Sequence, residues 1–168
     1  MKTAESIKPI KSILVLTDFS RNAKNATDHA ILLAEQLHAD ILLFNSFLIP
    51  DPGFDSWTSG DHALLSQQSK INLDKEVARL DDVMKHYGKE FKPKIHSLSN
   101  EGTIAENVCE IITEKKNILM VVMGGCKANG NDDVLFGVEI TQILNKVKCP
   151  TMIVPESESL LCNASLFI

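Results

Sequence analysis

The sequence has 168 residues, which is enough for one domain with a sizeable hydrophobic core. Hydrophobic residues make up 44% and charged residues 23%, as in ordinary globular proteins. The net charge of -5 excludes the basic surface by which proteins bind nucleic acid.

The first part of the chain predicts two strands separated by a helix. Residues 13–16 and 41–44 are short, uninterrupted apolar runs, typical of strands buried on both faces of a parallel sheet. Between them, Ser20 is placed as the N-cap of a helix. That helix carries an apolar stripe at helical spacing, which comprises Ala23, Ala26, Ala30, Ala34 and Leu37.

A long loop and an amphipathic helix are predicted next. Residues 50–62 are rich in turn formers and predict the loop. In it, Phe54 and Trp57 either cover a ligand or partner or pack back on a sheet edge. A stripe with alternating steps of four and three residues then predicts a helix that Gly88 ends. Its apolar positions are Leu73, Val77, Leu80, Met84 and Tyr87.

The remaining chain predicts three strands and two helices. The strands are a short segment behind Pro93 (95–98), the apolar run 118–123, and a last strand closed by Pro155 (151–154). Thr103 and Glu106 form a capping box that opens one helix. The other helix is marked by Ile140, Leu144 and Val147. Strands that alternate with helices predict one α/β domain, a doubly wound five-stranded parallel sheet with helices on both faces. We expect residues 1–168 to form this domain, with a core over about 11–155 and a C-terminal tail over 156–168.

Several features indicate where the protein is found in the cell. The first ten residues contain no apolar segment, so we expect no signal peptide. The longest apolar run, residues 118–123, is too short to span a membrane. The four cysteines form no Cys-x-x-Cys pair and have no histidine at zinc spacing. We therefore expect a cytoplasmic protein with reduced thiols, no bound metal and no association with membranes.

The fold class indicates where a ligand would bind. Doubly wound sheets bind ligands beyond the carboxyl ends of the strands, where the strand order reverses. If the chain starts in the middle of the sheet, the first and fourth strands are neighbours. Asp18 then lies beside the glycine-rich loop that starts at Gly124, in a crevice suited to a base and a phosphate. The alternative role of Asp18 is a helix-capping carboxylate next to Ser20.

Four segments resemble the universal stress protein family in their order and spacing. They are LTDFS at 16–20, ILLF at 41–44, VVMG at 121–124 and CPTMIV at 149–154. The resemblance runs from about Lys11 to Pro155. It implies a five-stranded parallel sheet in the order 3-2-1-4-5 and, usually, a homodimer.

The resemblance also allows the glycine loop to be compared with that of the family's ATP-binding members. Those members carry a glycine, two residues, a second glycine, nine residues, and a third glycine followed by Ser or Thr. Gly124 and Gly137 match the first and third glycines, but Lys127 and Val138 replace the second glycine and the hydroxyl residue. Lys127 crowds the approach of the backbone to a phosphate, and Val138 removes a hydroxyl donor. The sequence therefore predicts a degenerate phosphate site.

Two further positions correspond to the adenine side of the family's site. Asp18 matches the family's adenine-side aspartate, and Asn45 matches a position whose backbone meets the adenine. We expect a non-catalytic regulatory or binding module with no cofactor, acting as a homodimer through the edge strand Thr151–Val154. The sequence leaves open whether the homodimer also binds another protein.

Two alternatives remain at this point. One is a stress-response protein that binds ATP or AMP, with magnesium, through Asp18 and residues 124–138. The other is an enzyme that uses adenine nucleotides, such as a ligase or a slow ATPase.

Overall fold

Strands alternate with helices throughout the computed structural model, which describes residues 10–48, 59–86, 91–125 and 138–155. The strands are β1 (Ser12–Leu16), β2 (Asp40–Phe47), β3 (Ile95–Glu101), β4 (Ile118–Gly124) and β5 (Thr151–Val154). The helices are α1 (Arg21–Leu37), α2 (Ser59–His86), α3 (Ile104–Glu114) and α4 (Val138–Lys146).

The five strands form one parallel sheet in the order β3-β2-β1-β4-β5. The order reverses between β1 and β4, which pair with Val15 opposite Val122. The predicted fold class and strand order are therefore confirmed, and they place the carboxyl ends of β1 and β4 side by side.

The core has two layers, one on each face of the sheet. Ile13, Val15, Ile41 and Leu43 pack with residues of α1 and α2 on one face. The intervening residues Leu14, Leu16, Leu42 and Phe44 pack with residues of α3 and α4 on the other face. Successive side chains of a strand point to opposite faces, so both must be apolar when helices cover both. This explains the uninterrupted apolar runs of the sequence.

The boundaries of several elements differ from the sequence prediction. The loop predicted over 50–62 ends earlier, because α2 already begins at Ser59. The predictions for Tyr87, Gly88, Phe54 and Trp57 lie outside the described residues.

Two residues predicted in apolar helix stripes are exposed. Leu37 is 47% exposed, because α1 ends there and His38 reverses the chain with a φ of 49°. Leu144 is 42% exposed, and Ile143 takes the buried position of α4 instead. Ile140 and Val147 pack against the core as predicted, so only the middle position of the predicted stripe is displaced, from Leu144 to Ile143.

Both predicted helix caps are present. The Ser20 hydroxyl accepts a hydrogen bond from the Ala23 amide at the start of α1. The Thr103 hydroxyl accepts one from the Glu106 amide at the start of α3. The same hydroxyl donates to the Glu106 carboxylate at 2.6 Å, so both the amide and the side chain of Glu106 bond to Thr103.

A cluster of charged residues crosses the contact between α1 and α2. Arg79 contacts Asp28 at 2.8 Å and donates two hydrogen bonds to Glu76 Oε1. The side chains of Asp28 and Glu76 are 13% and 4% exposed. Burial raises the pKa of Asp28 above its usual range, although Arg79 acts in the opposite direction. Asp28 Oδ1 has this ion pair but no well-aligned hydrogen-bond donor among the described residues.

Candidate functional site

The candidate site lies at the carboxyl ends of β1 and β4, where the strand order reverses. β1 leads into Thr17 and Asp18, and β4 ends at Gly124. The neighbouring strand β2 extends past β1 and contributes Asn45 and Ser46. The structure thus brings together Asp18, Asn45 and Gly124, three of the residues predicted from the sequence.

A tight turn after β1 presents Asp18 to solvent. The Thr17 hydroxyl accepts a hydrogen bond from the Phe19 amide at 3.0 Å, and Phe19 adopts a φ of 65°. Asp18 Oδ1 accepts a hydrogen bond from the Ser20 amide at 2.9 Å, a local bond typical of Asp in turns. Asp18 is therefore a turn-forming residue two positions before the N-cap Ser20, and it is exposed to solvent.

Gly124 lies against the first turn of α1. A Cβ atom at this position would lie 2.7 Å from the backbone carbonyl carbon and oxygen of Asn22 and 3.0 Å from the Ala23 nitrogen. Only a residue without a side chain allows this approach. The close contact brings the positive end of the α1 dipole to the end of β4.

The charges at this end of α1 suit an anionic ligand. The first turn of the helix contains no acidic residue. Arg21 and Lys24 lie there with exposed side chains. The dipole of α1 and these two cations therefore favour an anion at this end of the helix.

Asn45 lies behind the Asp18 turn in a buried chain of hydrogen bonds. Its side-chain amide donates to the Thr17 carbonyl at 2.7 Å. Its side-chain oxygen accepts from the Ser69 hydroxyl of α2 at 2.6 Å. The Ser69 and Ser99 hydroxyls are also 2.6 Å apart. Since the Ser69 proton goes to Asn45, Ser99 donates to Ser69, and the chain joins β1, β2, α2 and β3.

Ser46 begins a second set of hydrogen bonds toward α3. Its hydroxyl donates to the Gly102 carbonyl. The buried Asn107 side chain donates to the Glu101 and Thr103 carbonyls, both at 3.1 Å. Gly102 itself has a φ of 116°, which favours glycine. Asn45 and Ser46, two consecutive residues of β2, therefore hold the turn after β1 and the turn after β3, respectively.

The structure does not describe the centre of the glycine loop. Lys127 and Gly137 lie outside the described residues. Val138 is the first residue of α4, but its side chain is not described. The predicted loss of phosphate contacts therefore stays a prediction.

The sequence analysis did not identify Ser69 or Ser99. Ser69 had a detectable signal, because it lies four residues before Leu73 on the buried stripe of α2. A polar residue at a buried helix position requires a hydrogen-bond partner. Ser99 had no comparable signal, since its partner is thirty residues away in the chain.

The described part of the chain contains neither a cluster of metal ligands nor a membrane-spanning helix. Within it, no three His, Cys, Asp or Glu residues form a group that could hold a metal ion. No helix of that part is long and apolar enough to cross a bilayer.

Comparisons with known proteins agree on one family. A profile of the Universal stress protein family matches residues 9–155. A universal stress protein of Methanocaldococcus jannaschii is 26% identical over 145 residues, which cover 86% of this chain and 81% of that protein.

Solved structures share the fold at lower identity. A universal stress protein in complex with cAMP is 18% identical, with a TM-score of 0.60 over 89% of this chain and 100% of that one. The universal stress protein from Archaeoglobus fulgidus in complex with dAMP is 14% identical, with a TM-score of 0.54 over 86% of this chain and 96% of that one.

Proposed function

The chain belongs to the universal stress protein family, and from this premise we propose that it is a non-catalytic regulatory protein of the cytoplasm. In this proposal, it acts as a homodimer and binds an adenine nucleotide weakly in the crevice between β1 and β4.

The geometry at the reversal point is the observation that carries the proposal. Asp18 is exposed in the turn that leads from β1 into α1, and the first turn of α1 lies against Gly124 at the end of β4. A carboxylate at one side suits the hydroxyl or amino groups of a nucleoside, which are hydrogen-bond donors. The cationic helix N-terminus suits a phosphate. The bound cAMP and dAMP of structurally similar proteins are consistent with a ligand of this class.

The affinity is proposed to be weak because of the sequence of the loop. Val138 lacks the hydroxyl that ATP-binding members of the family have, and Lys127 takes the place of a glycine. One lost hydrogen bond to a charged group costs roughly 1.5–3 kcal/mol. Since roughly 1.4 kcal/mol is tenfold in affinity, we expect ATP binding about a hundredfold weaker than in an intact site.

A titration with AMP and with Mg-ATP tests this proposal. We expect both nucleotides to shift the amide resonances of residues 17–20 and 124–125 in NMR spectra, with similar, weak affinities. Asp18→Ala should abolish the shifts, because it removes the side chain from the turn and from the crevice. Asp18→Asn is the matched control: its side-chain oxygen preserves the bond to the Ser20 amide and only the charge is lost.

The results of this titration distinguish the proposed function from the ATP-binding and enzymatic alternatives. Micromolar affinity for Mg-ATP would contradict the weak site and favour the ATP-binding alternative. Steady release of inorganic phosphate from Mg-ATP would favour the slow ATPase. If neither nucleotide shifts any resonance at millimolar concentration, the nucleotide part of the proposal is wrong.

The proposed dimer rests on β5. This strand is the last in the sheet order and pairs with β4 along one edge. Its residues Thr151, Met152 and Ile153 are only half-buried. An apolar edge strand is a template for pairing with another chain, and a symmetric dimer would satisfy both copies.

Ile153→Pro is expected to convert the dimer into a monomer. The Val154 carbonyl accepts a hydrogen bond from the Gly125 amide, which follows β4, so the backbone groups of Val154 point toward β4. Successive residues of a strand alternate in this respect, and the N–H and C=O groups of Ile153 therefore point away from β4. Proline at 153 would remove that outward N–H donor and preserve the pairing with β4. Light scattering at tens of micromolar should give the mass of a monomer for this variant and of a dimer for the wild type and Ile153→Ala. A monomeric wild type would contradict the dimer.

A further inference from the structure

We infer that Asn45 is a positioning residue that holds the Asp18 turn in its nucleotide-accepting form without touching the ligand through its side chain. This inference rests on the proposed function and assigns to the Asn45 side chain a role different from direct contact with an adenine.

The burial of Asn45 is the first observation. The residue is 8% exposed, and both ends of its carboxamide have protein partners, the Thr17 carbonyl and the Ser69 hydroxyl. A base in the crevice would therefore meet backbone atoms at this position. The side chain acts on the site through Thr17.

The Thr17 carbonyl is the point at which Asn45 acts. Thr17 donates its amide to the Phe44 carbonyl, as a continuation of the β1–β2 pairing, and its carbonyl accepts from Asn45. The next residues leave the strand direction at once, with Phe19 at a φ of 65°. A non-glycine residue with positive φ persists only where its surroundings hold it. Asn45 fixes the peptide group that starts this turn.

The side chain at position 45 must donate a hydrogen bond to the Thr17 carbonyl and accept one from the Ser69 hydroxyl. Ser69 supplies a proton to the Asn45 oxygen, which fixes the orientation of the amide with its NH2 group toward Thr17. An aspartate of the same shape would place an oxygen against the Thr17 carbonyl oxygen. Two acceptors at that distance repel each other, so the turn would lose its anchor.

The test uses Asn45→Asp and, because a buried charge can prevent folding, Asn45→Leu. We expect amide hydrogen exchange of Phe19 and Ser20, measured by NMR without ligand, to become at least about tenfold faster than in the wild type. AMP affinity should fall by a similar factor. Asn107→Leu is the matched control, because it makes the same change at an equally buried asparagine that holds the β3–α3 turn. It should leave exchange of Phe19 and Ser20 unchanged.

Each result decides a separate point. Unchanged exchange of Phe19 and Ser20 in a folded Asn45 variant overturns the inference. Faster exchange with unchanged AMP affinity also overturns it, because the turn would then not shape the site. Faster exchange in a protein whose wild type does not bind AMP supports the role of Asn45 in the turn and overturns the proposed function alone.

Discussion

Arg79→Met is expected to lower the free energy of unfolding at pH 7 by about 3 kcal/mol, the lower end of the range for breaking a buried ion pair. Arg79 is the cation between two carboxylates, the buried Glu76 of α2 and the largely buried Asp28 of α1. Methionine is similar in length but removes the positive charge that contacts both carboxylates. Urea denaturation followed by circular dichroism measures the change.

The loss should shrink as the pH falls, and this dependence identifies the cause. Burial already raises the pKa of Asp28, and replacing Arg79 removes the main group that opposes that rise. The folded variant therefore binds a proton at Asp28 at a pH where the unfolded chain does not. Protonation of Asp28 removes the unpaired charge from the folded variant. The stability of the variant therefore rises as the pH falls toward about 4, the pKa of an aspartate in the unfolded chain. The difference between the variant and the wild type is thus largest at pH 7.

A matched control is available on the same helix. Lys85 and Asp82 form an ion pair at 2.8 Å with the same spacing of three residues, but both side chains are 70% exposed. Solvent screens such a pair, so Lys85→Met should have no measurable effect on stability. An equal loss in the two variants, or a loss in Arg79→Met that does not change with pH, would contradict the role of the buried carboxylates.

The sequence was informative wherever structure depended on neighbouring residues. Strands such as Ile13–Leu16 are recognisable because a parallel strand covered on both faces must be apolar at every position. Ser20 and Thr103 are recognisable because a helix cap is satisfied within three residues. Strand order then follows from the alternation of strands and helices together with the family resemblance.

The sequence was less informative where partners are distant in the chain. The second strand is predicted only as far as residue 44, yet Asn45 accepts a hydrogen bond from Ser69 on α2, and Ser46 donates one to the Gly102 carbonyl. Arg79 and Asp28 are separated by about a third of the domain, and no local pattern pairs them. Polar residues of this kind are placed by tertiary contacts, which override local propensity.

Gly124→Ala is expected to lower the free energy of unfolding by about 1–3 kcal/mol in the absence of any nucleotide, the usual cost of overpacking. The added Cβ would lie 2.7 Å from the Asn22 backbone, which cannot rotate away as a flexible side chain would. The first turn of α1 must therefore move away from β4. Thermal and urea denaturation of the ligand-free protein measure the loss.

The sign of this effect separates two roles of the same glycine. If Gly124 served only to let a phosphate approach, alanine would leave the ligand-free fold undisturbed. It would then raise stability by about 0.4–1 kcal/mol, because it restricts the unfolded chain. If the glycine is needed for the contact with α1, stability falls. Hydrogen exchange should also become faster at Ala23 and Lys24 of α1, but not at Glu106 and Asn107 in the equivalent turn of α3. If stability falls and hydrogen exchange changes only at α1, Gly124 is required for packing against α1, whether or not the loop also holds a phosphate.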